Sequence, residues 1–326
     1  MRQRGAGGRV ARATARTGGR GRLVLLVAAL LALVTLLSAG CGAANSPPSG
    51  ALDVVASTSF LADIAQNVAG DRFPVQSLIP RGTDPHSFEP TPSDLRTAAG
   101  ADLVIINGGG LEGTLLTTLQ NAVGSVPIVN ASAGLQTRTP KPGEPALAAG
   151  ETDPHFWLDP MLVKTYVKNI EVAFSKADPA GAATYKANAA VYDKKLDALE
   201  AWIRQQVAQI PPADRKLVMD HASHGYFADR YGFTIIGTVI PSASTSDSPT
   251  ARQLTDLTRT IQATGGKAIF VEAGDNPQLA QQIGAETGVK VVTDLLDHTL
   301  SAPGGPAPTY LDMMKYDTRL IVEALK

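Results

Sequence analysis

No glycine or proline interrupts the chain between Ala182 and Val207. Within that stretch Tyr185, Ala189, Tyr192, Leu196, Leu199 and Ile203 recur at steps of four, three, four, three and four. That spacing lines one face of an α-helix. Pro211-Pro212 stops it. At 1.5 Å per residue such a helix is roughly 40 Å long, enough to run along two lobes. Short apolar runs lie on both sides of it, at 52–56, 75–79, 103–106 and 127–129 before it and at 216–219, 234–239, 268–271 and 289–292 after it. Amphipathic stretches separate most of these runs. The alternation predicts an α/β fold of two lobes, each with a mostly parallel sheet flanked by helices, joined by one long rigid helix. The lobes are expected at residues 51–179 and 211–326, with the bridge at 180–210. A surface helix packed on one domain would have the same periodicity, but its position between two β-rich halves favours the bridge.

The N-terminus reads as an export signal. Residues 1–40 hold seven arginines and no acid, and an apolar run at 23–37 is broken only by Thr35. Small residues then precede Cys41, the sole cysteine. A basic segment, an apolar segment and a small-residue cleavage site make a signal peptide, and about 20 apolar residues are needed to span a bilayer. The junction resembles a bacterial lipobox, with cleavage before Cys41 and acylation of its thiol, although Ser38 stands where the pattern has leucine. An ordinary signal peptide with an incidental cysteine, or a permanent membrane anchor, is the alternative. Residues 41–50 are small, polar and proline-bearing, and read as a flexible tether.

Removing the seven N-terminal arginines from the chain's 29 basic residues leaves 22 against 30 acids, a net of −8. An acidic body argues against nucleic acid as a partner, because phosphate binding requires a basic face. It suits attraction of cations, though solubility alone also favours acidity.

The five histidines, His86, His155, His221, His224 and His298, all lie near turns. His86 and His155 each end an Asp-Pro-His triplet. His221 follows the run at 216–219, and His298 follows the run at 289–292 by six residues. Open α/β sheets bind ligands outside the carboxyl ends of their strands, where His86, His221 and His298 stand. Imidazole is the commonest transition-metal ligand. A lone histidine is more often a hydrogen-bonded structural residue, and the wide spacing leaves a shared site open. The Gly108-Gly109-Gly110 run does not complete a dinucleotide fingerprint. The loop-like segment 137–152 is rich in proline, glycine and alanine and has no histidine.

Certain segments are similar to the zinc/manganese solute-binding lipoproteins of ABC importers, the cluster A-I metal-binding proteins. They are Thr83-Asp84-Pro85-His86-Ser87-Phe88-Glu89-Pro90, Asp153-Pro154-His155-Phe156-Trp157-Leu158-Asp159-Pro160, His221-Ala222-Ser223-His224-Gly225-Tyr226-Phe227, Phe270-Val271-Glu272 and Tyr310-Leu311-Asp312-Met313-Met314. The resemblance covers nearly the whole mature chain. It implies two α/β lobes on one rigid helix with metal held between them, and ligands at His86, His155 and His221. His224 falls where the family more often has an aromatic residue and is expected not to ligate. The fourth position departs from the family, which usually places aspartate there. Here Asp297-His298 occupies it, so the expected ligand is His298, with Asp297 as the alternative.

Imidazoles favour Zn²⁺, Cu²⁺ or Ni²⁺ over Mn²⁺, which prefers carboxylate and water, and tetrahedral geometry favours Zn²⁺ among them. The expected cargo is therefore Zn²⁺, with Mn²⁺ or iron as alternatives. The expected protein is a monomer, lipid-anchored on the outer face of the cytoplasmic membrane, which captures the ion and passes it to an ABC permease. Asp84, Asp153 and Asp159 could orient the rings from behind or cap turns, Asp159 reading more as a helix cap before a first-turn proline, and Glu112 and Glu272 read as structural acids. A zinc hydrolase needs an open metal position and a general base, and no His-Glu-x-x-His helix supplies them. A surface adhesin with a structural metal is a further alternative, distinguished by whether chelation unfolds it.

Overall fold

The computed structural model describes residues 51–144, 147 and 150–326. The expected signal peptide, tether and lipidated Cys41 lie outside the described residues. Among those described, no helix is long and apolar enough to cross a membrane.

Among the described residues, eight strands form two four-stranded sheets. The first contains β1 (Val54–Ala56), β2 (Val75–Ser77), β3 (Leu103–Ile106) and β4 (Ile128–Asn130), in the order β2-β1-β3-β4. The second contains β5 (Lys216–Met219), β6 (Thr234–Thr238), β7 (Ala268–Glu272) and β8 (Lys290–Leu295), in the order β6-β5-β7-β8. Every pairing is parallel. Parallel neighbours need crossover connections, and helices supply them. These are α1 (Ser59–Ala69), α2 (Pro92–Ala99) and α3 (Gly113–Val123) in the first half, and α6 (Gly225–Tyr231), α7 (Ala251–Thr264) and α8 (Gln278–Thr287) in the second. The fully apolar strand β3 is buried along its length, as strands covered on both faces must be.

Between the halves run α4 (Pro160–Ala177) and α5 (Ala182–Val207); α9 (Tyr310–Leu325) ends the chain. The helix α5 buries Tyr185, Ala189, Tyr192, Leu196, Leu199, Ile203 and Val207, the face its periodicity marks. It packs against α1 of the first half, against α4 and against α9. One apolar cluster runs from Val54 and Phe60 through Leu196 to Leu217 and Phe270. A core shared in this way resists lobe rotation, because dense packing must be broken to rotate the lobes.

Local chemistry sets the element ends closest to the site. Asp159 caps α4 by accepting from the Met161 amide at 2.9 Å, with Pro160 opening the first turn. Its carboxylate also takes two bonds from Arg230 Nε, at 2.9 and 2.8 Å. After β3, Gly109 has φ +66°, and a Cβ there would meet the Phe156 ring at 2.7 Å and Pro154 Cα at 3.3 Å. Only glycine adopts that backbone freely, so this turn can close directly over the second Asp-Pro-His segment. Strand β8 extends to Leu295, further than its apolar pattern predicts, because Asp294 lies exposed on its solvent side.

Candidate metal centre

The carboxyl ends of the two sheets deliver side chains to one point. His86 lies on the loop after β2, His221 two residues after β5 and His298 three residues after β8. His155 precedes the short 3-10 turn Phe156–Leu158 that leads into α4. Their ring centroids are 4.9–5.7 Å apart in all six pairings. The Nε2 atoms of His86, His155 and His298 are closer still, at 3.3 Å (His86–His155), 3.2 Å (His86–His298) and 3.0 Å (His155–His298). One nitrogen from each of the four rings lies within 4.8 Å of those of the other three. Three rings are at most 1% exposed, and His86 is partly buried.

Carboxylates stand behind three of the rings. Asp153 Oδ1 lies 2.8 Å from His155 Nδ1, Asp220 Oδ1 lies 2.8 Å from His221 Nδ1, and Glu272 Oε2 lies 2.6 Å from His298 Nδ1. Accepting as carboxylates, these acids place the ring proton on Nδ1 and leave the Nε2 lone pair facing inward, while burial pushes Asp153 up to about 7 and Glu272 up to about 8. The triplets explain part of this. In both, the aspartate accepts from the histidine amide, Asp84 from His86 at 2.9 Å and Asp153 from His155 at 3.0 Å. Only Asp153 also reaches its ring. Asp84 instead accepts from Ser87 at 2.8 Å and from Thr245 at 2.6 Å.

Lone pairs aimed at one another across about 3 Å repel unless a proton or a cation lies between them. His221 Nε2 is buried with no hydrogen-bond partner among the described residues. In a tetrahedral zinc site, with nitrogens about 2.0–2.1 Å from the ion, neighbouring nitrogens stand ~3.3–3.4 Å apart. The three short separations approach that edge, so His86, His155, His221 and His298 could hold a transition-metal ion. Burial depresses the basicity of His86 and His155, and the charge of His298 adds to the effect. Burial also acts against protonation of His298, but Glu272 and then Asp297 outweigh it and hold that ring well above its ordinary value.

Asp297, the alternative fourth ligand, faces elsewhere. Its Oδ1 is 3.4 Å from His298 Nδ1, on the back of the ring, and its Oδ2 is 3.6 Å from His224 Nδ1. Trp157 fixes its backbone, donating from Nε1 to the Asp297 carbonyl at 2.6 Å. His224 does not join the four rings: it pairs with Ser223 Oγ at 2.8 Å and packs on Phe227. Glu112 is structural, as its sequence context suggests, accepting from Ser57 and from the Asn107 and Gly108 amides. Glu272 is not merely structural, because it backs His298. Sequence reasoning missed this role and that of Asp220. The signal was their place at the carboxyl ends of β7 and β5, beside the histidine loops.

The family described as Zinc-uptake complex component A periplasmic matches residues 54–324. The chain belongs to this family. Among its relatives is the manganese-binding lipoprotein MntA of Halalkalibacterium halodurans, 32% identical over 299 residues and covering 91% of this chain and 97% of the relative. Another is the iron-binding protein YfeA of Yersinia pestis, 32% identical over 287 residues, covering 87% and 90%. The solved periplasmic zinc binding protein TroA of Treponema pallidum superposes with a TM-score of 0.73 at 27% identity, covering 83% of this chain and 98% of that one. Family members of this one architecture are thus named for zinc, manganese and iron, so fold alone does not assign the metal and the donor set must be considered.

Proposed function

We propose that this protein is the extracytoplasmic metal-binding component of an ABC importer, that its cargo is Zn²⁺, and that His86, His155, His221 and His298 hold the ion. The convergence of four imidazole nitrogens, three of them 3.0–3.3 Å apart, carries this reading. An all-nitrogen, uncharged donor set favours Zn²⁺ over Mn²⁺, which prefers carboxylate and water. Asp297 then serves behind His298, beside Glu272. Manganese or iron is the second reading, supported by the names of MntA and YfeA.

The activity is capture, not catalysis. Four donors complete a tetrahedral shell and leave no position for a reacting water. The three carboxylates behind the rings counter the charge of the ion while keeping its contacts neutral. In this reading Cys41 carries the lipid anchor, residues 41–50 tether a monomer to the outer face of the membrane, lobes 51–179 and 211–326 enclose the ion, and residues 180–210 join them. A membrane permease receives it.

Calorimetry with Zn²⁺ and Mn²⁺ tests the assignment, using the full chain in detergent and its His298→Ala and Asp297→Ala variants. The expected result is one-to-one Zn²⁺ binding, tighter than Mn²⁺, lost in His298→Ala and only weakened in Asp297→Ala. Tighter Mn²⁺ binding, or loss in Asp297→Ala alone, overturns it.

A further inference from the structure

The four rings are not held alike. His86 is the partly buried one, and among the described residues its ring bonds only to imidazoles and not to a carboxylate. It lines a cavity of about 310 Å³ together with Gly110, Glu151, Thr152, Ala243 and Ser244. Its loop has no regular structure of its own. Contacts from the second lobe hold it at two places. At the near end, Thr299 Oγ1 accepts from the Gly82 amide at 2.7 Å, and Arg81 donates to the Ser301 and Pro308 carbonyls at 2.6 and 3.0 Å. At the His86 end, the segment following β6 lies across the loop. Thr245 Oγ1 donates to Asp84 Oδ2 at 2.6 Å, and Ser246 Oγ reaches the His86 carbonyl at 3.4 Å. The other end of this segment is anchored to the first lobe, where Glu151 Oε1 accepts from Ser242 Oγ and the Ala243 amide, each at 2.7 Å.

We propose that Thr245 is a positioning residue for metal capture: through Asp84 it holds the His86 loop against the other three imidazoles and so sets how fast the ion leaves. The link is direct. Asp84 Oδ1 accepts from the His86 amide while Oδ2 accepts from Thr245, so one rigid carboxylate joins the second lobe to the backbone that carries the ring. Hydrogen bonds to ionised groups are the strong ones. The other three histidines sit on segments continuous with the core and do not depend on this contact. Thr245, through Asp84, is a contact that ties the His86 loop to the second lobe beside the ring.

The inference rests on the metal reading above, and the test separates the two. Full chain in detergent is loaded with Zn²⁺ and mixed in a stopped-flow instrument with excess of a chelator that changes colour on taking zinc. Thr245→Val keeps the shape and removes the donor, and is expected to release zinc about tenfold faster, with Thr245→Ser staying within about twofold of the parent. The melting temperature of the metal-free form is expected to be unchanged, which a merely structural role would not leave intact. Release from Thr245→Val at the parent rate, or equal acceleration in Thr245→Ser, overturns the assignment to the hydroxyl while leaving the metal reading standing. Failure of the parent chain to take up zinc removes both.

Discussion

Glu272 Oε2 lies 2.6 Å from His298 Nδ1, with the carboxylate at the end of β7 and the ring on the loop after β8. Glu272 Oε1 also takes the His298 amide at 3.3 Å, and Asp220 Oδ2 takes the Glu272 amide at 2.7 Å. Two of the rings are therefore oriented by one connected set of acids. Replacing Glu272 with Gln keeps the size and removes the charge. Partners behind metal-bound histidines are worth about 10–100-fold in affinity, so Glu272→Gln is expected to weaken Zn²⁺ binding by that much with the fold intact. Competition titration against a chelator of known affinity measures it; unchanged affinity would contradict the role.

Proton release should accompany metal binding. Burial lowers the basicity of His298, yet Glu272 and Asp297 outweigh it and raise the ring well above its ordinary 6.5. The direction of that shift means that the ion competes with a proton for the ring. Metal affinity should therefore rise with pH, about tenfold per unit for one proton while the pH lies below the raised value. For the metal-free protein the sign is opposite: the contribution of this ring to stability is complete below about pH 6.5 and is lost as pH rises through its folded value. Calorimetry in two buffers of different ionisation heat counts the proton; identical heats would rule it out.

Trp157 is a built-in reporter of occupancy. Its ring lies 5.2 Å from the His155 ring and 5.6 Å from the His298 ring, stacks on Phe60 at 4.4 Å, and bonds Asp297 through Nε1. Zn²⁺ addition should change the tryptophan emission in a one-to-one titration, and Trp157→Phe should abolish the change while Trp202→Phe retains it. A signal that survives in Trp157→Phe would place its source elsewhere.

The α5 face should govern stability without governing affinity. Leu196 is fully buried midway along that helix, within the core shared by both halves. Leu196→Ala is expected to cost about 2–5 kcal/mol in denaturant unfolding, with Zn²⁺ affinity of the folded fraction unchanged. A large loss of affinity would mean that the helix transmits to the site, not merely that it braces the lobes.

Much of this was legible in the residues. The alternation of apolar runs places all eight strands to within a few residues, because side-chain period and strand burial are local properties. The steps of three and four in Tyr185 to Ile203 identify the buried face of α5 for the same reason. The Asp-Pro-His triplets marked two of the four rings that converge. Legibility failed at Glu272, which reads as a structural acid because nothing near it in the chain signals that His298, 26 residues later, will lie against it.

The sequence by itself determined the two parallel sheets, the helix between them, and the delivery of histidines to the carboxyl ends of strands. Tertiary structure decided which donors face one another. Asp297 and His298 are neighbours in the chain, and packing separates their directions. Trp157 grips the Asp297 carbonyl and Glu272 holds the back of the His298 ring, so the imidazole turns toward His86 and His155 while the carboxylate turns toward His224. Periodicity records the face of an element on which a residue lies. The direction of a side chain on an irregular turn is set by partners brought from distant segments, and those exist only once the two sheets have packed.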